Sequence, residues 1–205
     1  MPSTDPRHKL AVSRLKAVFS RDLLLDLGCG MGQTLRQLAH DGVPPTRLLG
    51  TDIHPAMIDL GFDLFRDSAG PPASMFAAGR HAAMGSRFVV ADFLNDCDPG
   101  LRLLLHRPTL VHASNFWHMF AWPQQIEIAV RLVSLLKPGT QNAMTDNARA
   151  FLHNPATFQL MWDIVGERTL TKWRVEMDFV SKTTSTIPGF AHDSYVVHYG
   201  VFQIK

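Results

Sequence analysis

The chain has 205 residues, of which 46% are hydrophobic and 19% are charged, a balance typical of a folded domain with a buried core. Twenty Lys and Arg residues against eighteen Asp and Glu residues leave a formal net charge of +2, whereas a general nucleic-acid binder needs a clustered basic face. Two cysteines, Cys29 and Cys97, are too few for a disulfide scaffold or a four-cysteine zinc site. The apolar runs are too short for a membrane span, and the first residues lack the apolar stretch of a signal peptide, so a cytoplasmic location is expected.

The first half of the chain predicts strands that alternate with helices. Apolar residues within 5–20 recur at the spacing of an amphipathic helix. Short apolar runs that end at glycine or aspartate indicate buried strands of a parallel sheet. The predicted strands are 23–27, 47–52 and 87–92, and the predicted helices after the first two are 33–40 and 54–66. The segment 67–85, rich in Ala, Gly and Pro, is predicted to be an irregular connection.

The second half predicts further alternation and then a hairpin. The predicted elements are a strand at 109–113, helices at 123–136 and 155–167, and strands at 171–180 and 194–204. A loop through Pro188-Gly189 joins the last two strands, which therefore pair antiparallel, because a parallel pair needs a long crossover. The pattern predicts an α/β fold with a doubly wound, mostly parallel sheet and an antiparallel C-terminal strand. No repeat or linker divides the chain, so a single domain over 1–205 is expected.

A glycine-rich turn follows the first predicted strand. Gly28, Gly30 and Gly32 let the chain bend sharply and let a ligand approach the backbone, while the next helix points its free N–H groups toward that ligand. A dinucleotide fingerprint has the spacing G-x-G-x-x-G, but here the third glycine comes one residue early and Gln33 takes its place. The spacing D-x-G-x-G-x-G from Asp26 is that of nucleoside-sulfonium binders, and it disfavours a nicotinamide-dependent oxidoreductase.

Acidic residues end the second and third predicted strands, at the sheet edge where open α/β sheets bind ligands. Asp52, with Ile53 beside it, stands where a carboxylate accepts the two ribose hydroxyls of an adenosine. Asp92 stands where a carboxylate accepts the adenine amino group while Phe93 covers the ring. Each acid taken alone is equally explained as a helix or turn cap. The glycine turn and the two acids, in this order, favour a cofactor site.

Three motifs carry a resemblance to class I S-adenosylmethionine-dependent methyltransferases. LLLDLGCGMGQ resembles the first motif of that family, LLGTDIHPAMI the second and FVVADF the third. Longer stretches within 10–178, among them VHASNFWHMFAWPQQIEIAVRLVSLLKPGT, resemble a fungal group that makes meroterpenoid-type secondary metabolites. The resemblance implies S-adenosyl-L-methionine as the cofactor. It also implies O-methylation of a small apolar natural product, often at a carboxylate.

The chain departs from the pattern of that group in two places. The resemblance implies a longer N-terminal segment, which helps to cover the active site in many class I enzymes, whereas about twenty residues precede the first strand here. After Lys137-Pro138-Gly139 the group continues with an apolar fifth strand, but this chain reads GTQNAMTDNARAFLHNP. Ala143-Met144 is too little apolar material for a buried strand, so a shortened or lost fifth strand is expected. Both departures raise the alternative of a truncated, catalytically impaired relative.

The segment after the fourth predicted strand is the candidate for chemistry. Its aromatic residues form either an apolar wall for a polycyclic substrate or part of the core. His118 is predicted to be a base or a hydrogen-bond donor to a substrate oxygen, with Asn115 orienting it, although a structural histidine is the commoner outcome. A carboxylate acceptor would need no base, because it is ionised at neutral pH.

The remaining residues add no second site. The histidines show no zinc-like spacing, so no metal is expected. Cys29, near a helix N-terminus, has either a lowered thiol pKa or only a small side chain that fits the turn. The predicted organisation is an N-terminal helix (1–20), a cofactor-binding half (21–136) and a substrate-side half (137–205). The expected partner is a small molecule, with neither nucleic acid nor membrane, and a homodimer would form if a second copy supplied the missing cover.

Overall fold

The computed structural model describes residues 6–67, 80–81, 85–138, 143–148, 153–184 and 193–204. The helices within these ranges are α1 (Pro6–Lys16), α2 (Gln33–His40), α3 (Pro55–Phe65), α4 (Pro99–Leu104), α5 (Trp122–Leu135) and α6 (Pro155–Thr169). The strands are β1 (Leu24–Leu27), β2 (Leu48–Asp52), β3 (Arg80–His81), β4 (Arg87–Val90), β5 (Leu110–Ser114), β6 (Ala143–Ala148), β7 (Lys172–Thr184) and β8 (Asp193–Ile204).

The strands form one sheet with the order β3-β4-β2-β1-β5-β6-β8-β7. Strands β4, β2, β1, β5 and β6 run parallel, while β8 lies antiparallel between β6 and β7. This topology confirms the predicted doubly wound, mostly parallel sheet with an antiparallel C-terminal hairpin. The strand order reverses at β1, where the chain crosses from one side of the sheet to the other. Ligands bind at such a switch point, beyond the carboxyl ends of the strands.

Alternate residues of β1 bury against the two opposite helical layers. Leu24 joins a core cluster that includes Leu15 of α1 and Phe62 of α3, whereas Leu25 joins a cluster that includes Leu132 of α5 and Trp162 of α6. Side chains along a strand point alternately to the two faces, so a strand covered on both sides reads as one apolar run. The two helical layers therefore cover both faces of this central strand, and its carboxyl end is left for ligand binding.

The predicted helices and strands are confirmed to within one or two residues at most ends. Helix α1 is shorter than predicted and ends at Lys16, and β7 extends further than predicted, to Thr184. Helix α4 was not predicted, because six residues are too few for a periodic pattern. The start of α4 is stabilised by Asp98, whose side chain accepts the N–H of Gly100, and by Pro99 in the first turn. The predicted loop at Pro188-Gly189 and most of segment 67–85 lie outside the described residues, although β3 pairs with β4.

The expectation of a lost or shortened fifth strand is wrong. Strand β6 has six residues and pairs in parallel with all five residues of β5. Its other edge pairs antiparallel with β8, from Ala143 opposite Phe202 to Ala148 opposite Val197. The backbone of β6 therefore has neighbouring strands on both sides, and this pairing does not require the apolar run that the sequence lacks.

Within the described ranges, no helix has both the length and the apolar character that a membrane crossing requires.

Candidate functional site

A cavity of about 650 Å³ lies at the carboxyl ends of β1, β2, β4 and β5. The sequence-predicted residues Gly28, Gly30, Asp52, Ile53, Asp92, Phe93 and Asn115 line it. Asp26, Gly32 and His118 do not belong to its lining and lie behind it. The other lining residues are Leu27, Thr51, His54, Met57, Ala91, Leu94, Ser114, Phe116, Met119, Phe120 and Ile128. The parallel register thus gathers residues that are up to about a hundred positions apart in the sequence.

The glycine turn, residues 28–32, contributes Gly28 and Gly30 to the lining of this cavity. Its backbone has positive φ angles, which residues with a side chain rarely adopt. Gly28 and Gly32 have φ values of 69° and 71°, a region that glycine enters readily. A Cβ at Gly28 would lie 2.6 Å from the Phe116 ring, and one at Gly32 would lie 2.5 Å from the Phe88 ring. The Cys29 N–H donates to the Thr51 carbonyl at 2.9 Å, which ties the turn to β2. Close packing behind the turn therefore holds its backbone against the cavity.

Asp52 joins the glycine turn to the start of α3. One carboxylate oxygen accepts the Gly30 N–H at 2.8 Å, and the other accepts the His54 N–H at 2.9 Å. Each carboxylate oxygen can accept more than one hydrogen bond, so both can still accept from a ligand in the cavity. Ile53 beside it is 50% exposed and offers an apolar surface at the mouth. The binding of ribose hydroxyl groups by Asp52 stays a prediction.

Asp92 lies at the beginning of the loop after β4 and is held by local hydrogen bonds. Its side chain accepts the Leu94 N–H at 2.8 Å, and its own N–H donates to Asp98 at 3.1 Å. The neighbouring Phe93 is 6% exposed and packs in the core under the cavity. A turn cap was the alternative role predicted for Asp92, and the hydrogen bond to Leu94 is such a cap. Asp92 also lines the cavity.

Two buried groups beneath the turn titrate far from their ordinary range. Burial, together with the negative charge of Asp52, raises the pKa of Asp26 to about 8. Burial, with the charges of Asp26 and Asp52, also raises the pKa of the Cys29 thiol well above its ordinary value. The alternative of a lowered Cys29 pKa is therefore wrong, and this cysteine acts as a small side chain that fits the turn.

The segment after β5 supplies the apolar wall. Asn115 has a φ of 54° and is exposed at the mouth, while Phe116 and Phe120 pack with their ring centroids 4.9 Å apart. Met119 is 59% exposed on the same wall. Trp117 points away from the cavity into the core, where it packs edge-on against Phe158 and Trp162. Phe116 and Phe120 thus line the cavity while Trp117 belongs to the core, and contact of the lining rings with a substrate stays a prediction.

His118 lies in the short 3₁₀ helix Trp117–Met119, behind the wall. Its Nδ1 atom is buried without a hydrogen-bond partner in the part of the chain that the structure describes. The ring is outside the cavity lining, and its assignment as a catalytic residue stays a prediction. Among the described residues, no group of three or more His, Cys, Asp or Glu side chains is arranged to hold a metal.

Gln125, which the sequence analysis missed, holds the apolar wall from behind. Its side-chain N–H groups donate to the carbonyls of Trp117 and Phe120, both at 3.0 Å. Its side-chain oxygen lies 2.6 Å from Nε2 of His153, which must donate because an amide oxygen can only accept. Burial lowers the pKa of His153. Gln125 is the polar residue among the buried residues of α5, which are otherwise apolar. A polar side chain within that apolar pattern is the sequence signal that would have identified it.

No model of a known protein family matches the chain. It is 31% identical over 169 residues to O-methyltransferase phiE of a fungal species, a match that covers 75% of this chain and 52% of that relative. It is 33% identical over 178 residues to methyltransferase adrK of Penicillium roqueforti, covering 79% and 59%. It is 34% identical over 128 residues to the asnovolin E/chermesin D methyltransferase nvfJ of Aspergillus novofumigatus, covering 62% and 41%. The chain spans about half the length of these curated relatives.

Solved structures with the same fold include the methyltransferase domain of bacterial CtHen1, with a TM-score of 0.60, 13% identity, and 97% of both chains covered. A SAM-dependent methyltransferase from Archaeoglobus fulgidus aligns with a TM-score of 0.59 and 13% identity, covering 97% of this chain and 91% of that one. At 13% identity these two matches show a shared fold and nothing more specific.

The raised pKa of Asp26 predicts how stability depends on pH. The folded state keeps a proton on this carboxyl up to about pH 8, whereas the unfolded chain loses it near pH 4. Stability contributed by this group is present below pH 4 and is lost as the pH rises toward 8. Asp26→Asn removes the titration, so the variant should gain stability relative to the natural chain as the pH rises across that window, by roughly 1.4 kcal/mol per pH unit.

Urea unfolding of both proteins at about pH 5, 6.5 and 8 measures this difference directly. Titrating groups that lie far from Asp26 contribute equally to both proteins and cancel. Parallel stability curves for the two proteins would contradict the assignment of a raised pKa to Asp26.

Proposed function

We propose that the chain is an S-adenosylmethionine-dependent O-methyltransferase of secondary metabolism. It shares its fold with solved methyltransferases and is related by sequence to fungal O-methyltransferases. The acceptor in this proposal is a small apolar natural product with a carboxylate. The observation that carries the proposal is the Asp52 carboxylate, held between the glycine turn and α3 at the mouth of a cavity of about 650 Å³.

The residues around the cavity fit an adenosyl cofactor. In this proposal Asp52 accepts the ribose hydroxyls and Ile53 lies against the sugar or base, while Asp92 accepts the adenine amino group and Phe93 lies under the ring. The turn of Gly28, Gly30 and Gly32 takes the amino-acid part, with Asp26 beneath it. The glycine at position 28 supports this fit, because a Cβ there would lie 2.6 Å from the Phe116 ring, and the turn therefore presents its bare backbone to the cavity.

Methyl transfer from this cofactor requires the enzyme mainly to position the two reactants. The cofactor supplies a methyl group on a sulfonium, which is already an activated leaving group. A carboxylate acceptor has an ordinary pKa near ~4 and is ionised at neutral pH, so no side chain has to remove a proton. The chain therefore has to exclude water and hold the acceptor oxygen in line with the methyl group, and such alignment supplies much of the rate.

The walls of the cavity favour an apolar acceptor. Phe116, Met119, Phe120 and Met57 give the cavity an uncharged lining beside the acids. In this proposal Asn115, which lines the cavity, hydrogen-bonds an acceptor oxygen. The relative named for asnovolin E and chermesin D supports an acceptor of natural-product type. In this proposal residues 21–136 bind the cofactor and residues 137–205 form the substrate side of a single domain.

Cofactor binding is tested by calorimetric titration with S-adenosylhomocysteine. We expect micromolar affinity for the natural chain and a loss of about a hundredfold for Asp52→Ala, because a buried pair of charge-assisted hydrogen bonds disappears. Asp63→Ala on the exposed face of α3 is the matched control and should bind normally. A folded chain that fails to bind S-adenosylhomocysteine would overturn the proposed function.

The acceptor is tested with labelled S-adenosylmethionine and a panel of terpenoid carboxylic acids, each paired with a matched phenol. We expect methyl transfer to the acids, with a rate that is flat between about pH 6 and 8 because the acceptor stays ionised. Asn115→Ala should lower the rate about tenfold by loosening alignment, while His118→Ala should leave it unchanged. A preference for phenols, with a rate that rises with pH and requires His118, would assign the base role to His118 and refute the carboxylate.

A further inference from the structure

Arg36 of α2 is a buried cation that the proposed chemistry does not use. Its side chain is 8% exposed. Two of its nitrogens bind the carboxylate of Asp67 in a bidentate pair, both at 2.8 Å. A third nitrogen donates to the carbonyls of Met31 and Gly32, at 2.6 and 3.2 Å. The guanidinium thus links the glycine turn to the residue just beyond α3.

The surroundings of Arg36 are apolar. Its guanidinium carbon lies 4.4 Å from the centroid of the Phe65 ring and 5.4 Å from those of Phe62 and Phe88. Removing a cation from water is unfavourable, and a buried ion pair often stabilises a fold no more than apolar residues of similar size would. Fold stability alone therefore gives no reason for an arginine here. The hydrogen bonds to the turn carbonyls give one, because an apolar side chain cannot make them.

The turn is fixed from two opposite sides. On the cavity side, the Gly30 N–H donates to Asp52 at 2.8 Å. On the far side, the Met31 carbonyl lies between Arg36 and Gly61 of α3, where a Cβ would come within 2.3 Å of the carbonyl oxygen. With its carbonyls bound behind, the turn keeps Gly28 and Gly30 in place in the lining of the cavity.

We propose that Arg36 is a positioning residue for the cofactor site, anchored by Asp67, which sets the orientation of the glycine turn. The identity of the ligand in this inference rests on the proposed function. Arg36 does not touch the ligand; it acts through Met31 and Gly32. The amino-acid carboxylate of the ligand is the group that depends most on the turn, because anions bind at the N–H groups of a helix start.

The test compares Arg36→Lys and Asp67→Asn with a matched control. Arg14 forms a bidentate pair with Asp22, at 2.9 and 3.0 Å, away from the turn, so Arg14→Lys removes a similar interaction elsewhere. Lysine keeps the charge but not the planar fork. We expect Arg36→Lys and Asp67→Asn each to weaken S-adenosylhomocysteine binding about tenfold or more, with little change for 5′-methylthioadenosine, which lacks the carboxylate. Arg14→Lys should change neither affinity.

A second measurement needs no ligand. Amide hydrogen exchange across residues 28–33 should become faster in Arg36→Lys and Asp67→Asn and stay unchanged in Arg14→Lys. Unchanged exchange in the turn would overturn the positioning role, even if S-adenosylhomocysteine binds. Equal losses for both ligands, in proportion to lost stability, would also overturn it. Faster exchange in a chain that binds no S-adenosylhomocysteine would support the positioning role and refute the proposed function instead.

Discussion

The hydrogen bond between the Gly30 N–H and the Asp52 carboxylate is the contact on which the site depends. It joins the turn after β1 to the end of β2, at the point where the strand order of the sheet reverses. The second oxygen of Asp52 holds the first turn of α3 through His54. One carboxylate therefore sets the distance between three elements, and in a parallel sheet these elements enclose the ligand cleft. Asp26 lies buried beneath the turn, and its burial, with the negative charge of Asp52, raises its pKa.

The other side of the cavity is built differently. Hydrophobic packing and one buried amide, rather than charge, hold the segment after β5. Gln125 binds two carbonyls of this segment, and His153 fixes the orientation of the amide from the C-terminal half of the chain. The Tyr199 hydroxyl in β8 donates in turn to the His153 carbonyl. The antiparallel hairpin, which lies outside the cofactor half, thus supports the wall that faces the acceptor in the proposed reaction.

Local sequence patterns predicted the parts of the fold that depend on local periodicity. Strands β1, β2, β4 and β5 are apolar runs that end at glycine, aspartate or serine, and the cavity residues Gly28, Asp52 and Asp92 followed from their place at those ends. Strand β6 escaped prediction because its pairing comes from two neighbouring strands, β5 and β8, that no local pattern reveals.

Long-range partners explain the site residues that were missed or misplaced. Arg36 binds Asp67, 31 residues further along the chain, and Gln125 binds His153, 28 residues away, so neither role is visible in a local motif. His118 was predicted from its residue type and its position after a strand. The turn geometry of the 3₁₀ helix instead places Met119 on the cavity wall and His118 behind it.

The most direct test of the central claim is a crystal structure of the chain with S-adenosylhomocysteine. The account predicts both ribose hydroxyls within hydrogen-bond distance of Asp52, the adenine between Ile53 and Phe93, and the amino-acid carboxylate at the glycine turn. Asp52 should keep its bond to the Gly30 N–H in the complex. A ligand bound elsewhere, or one in this cavity that leaves Asp52 without contact to the ribose, would contradict the account.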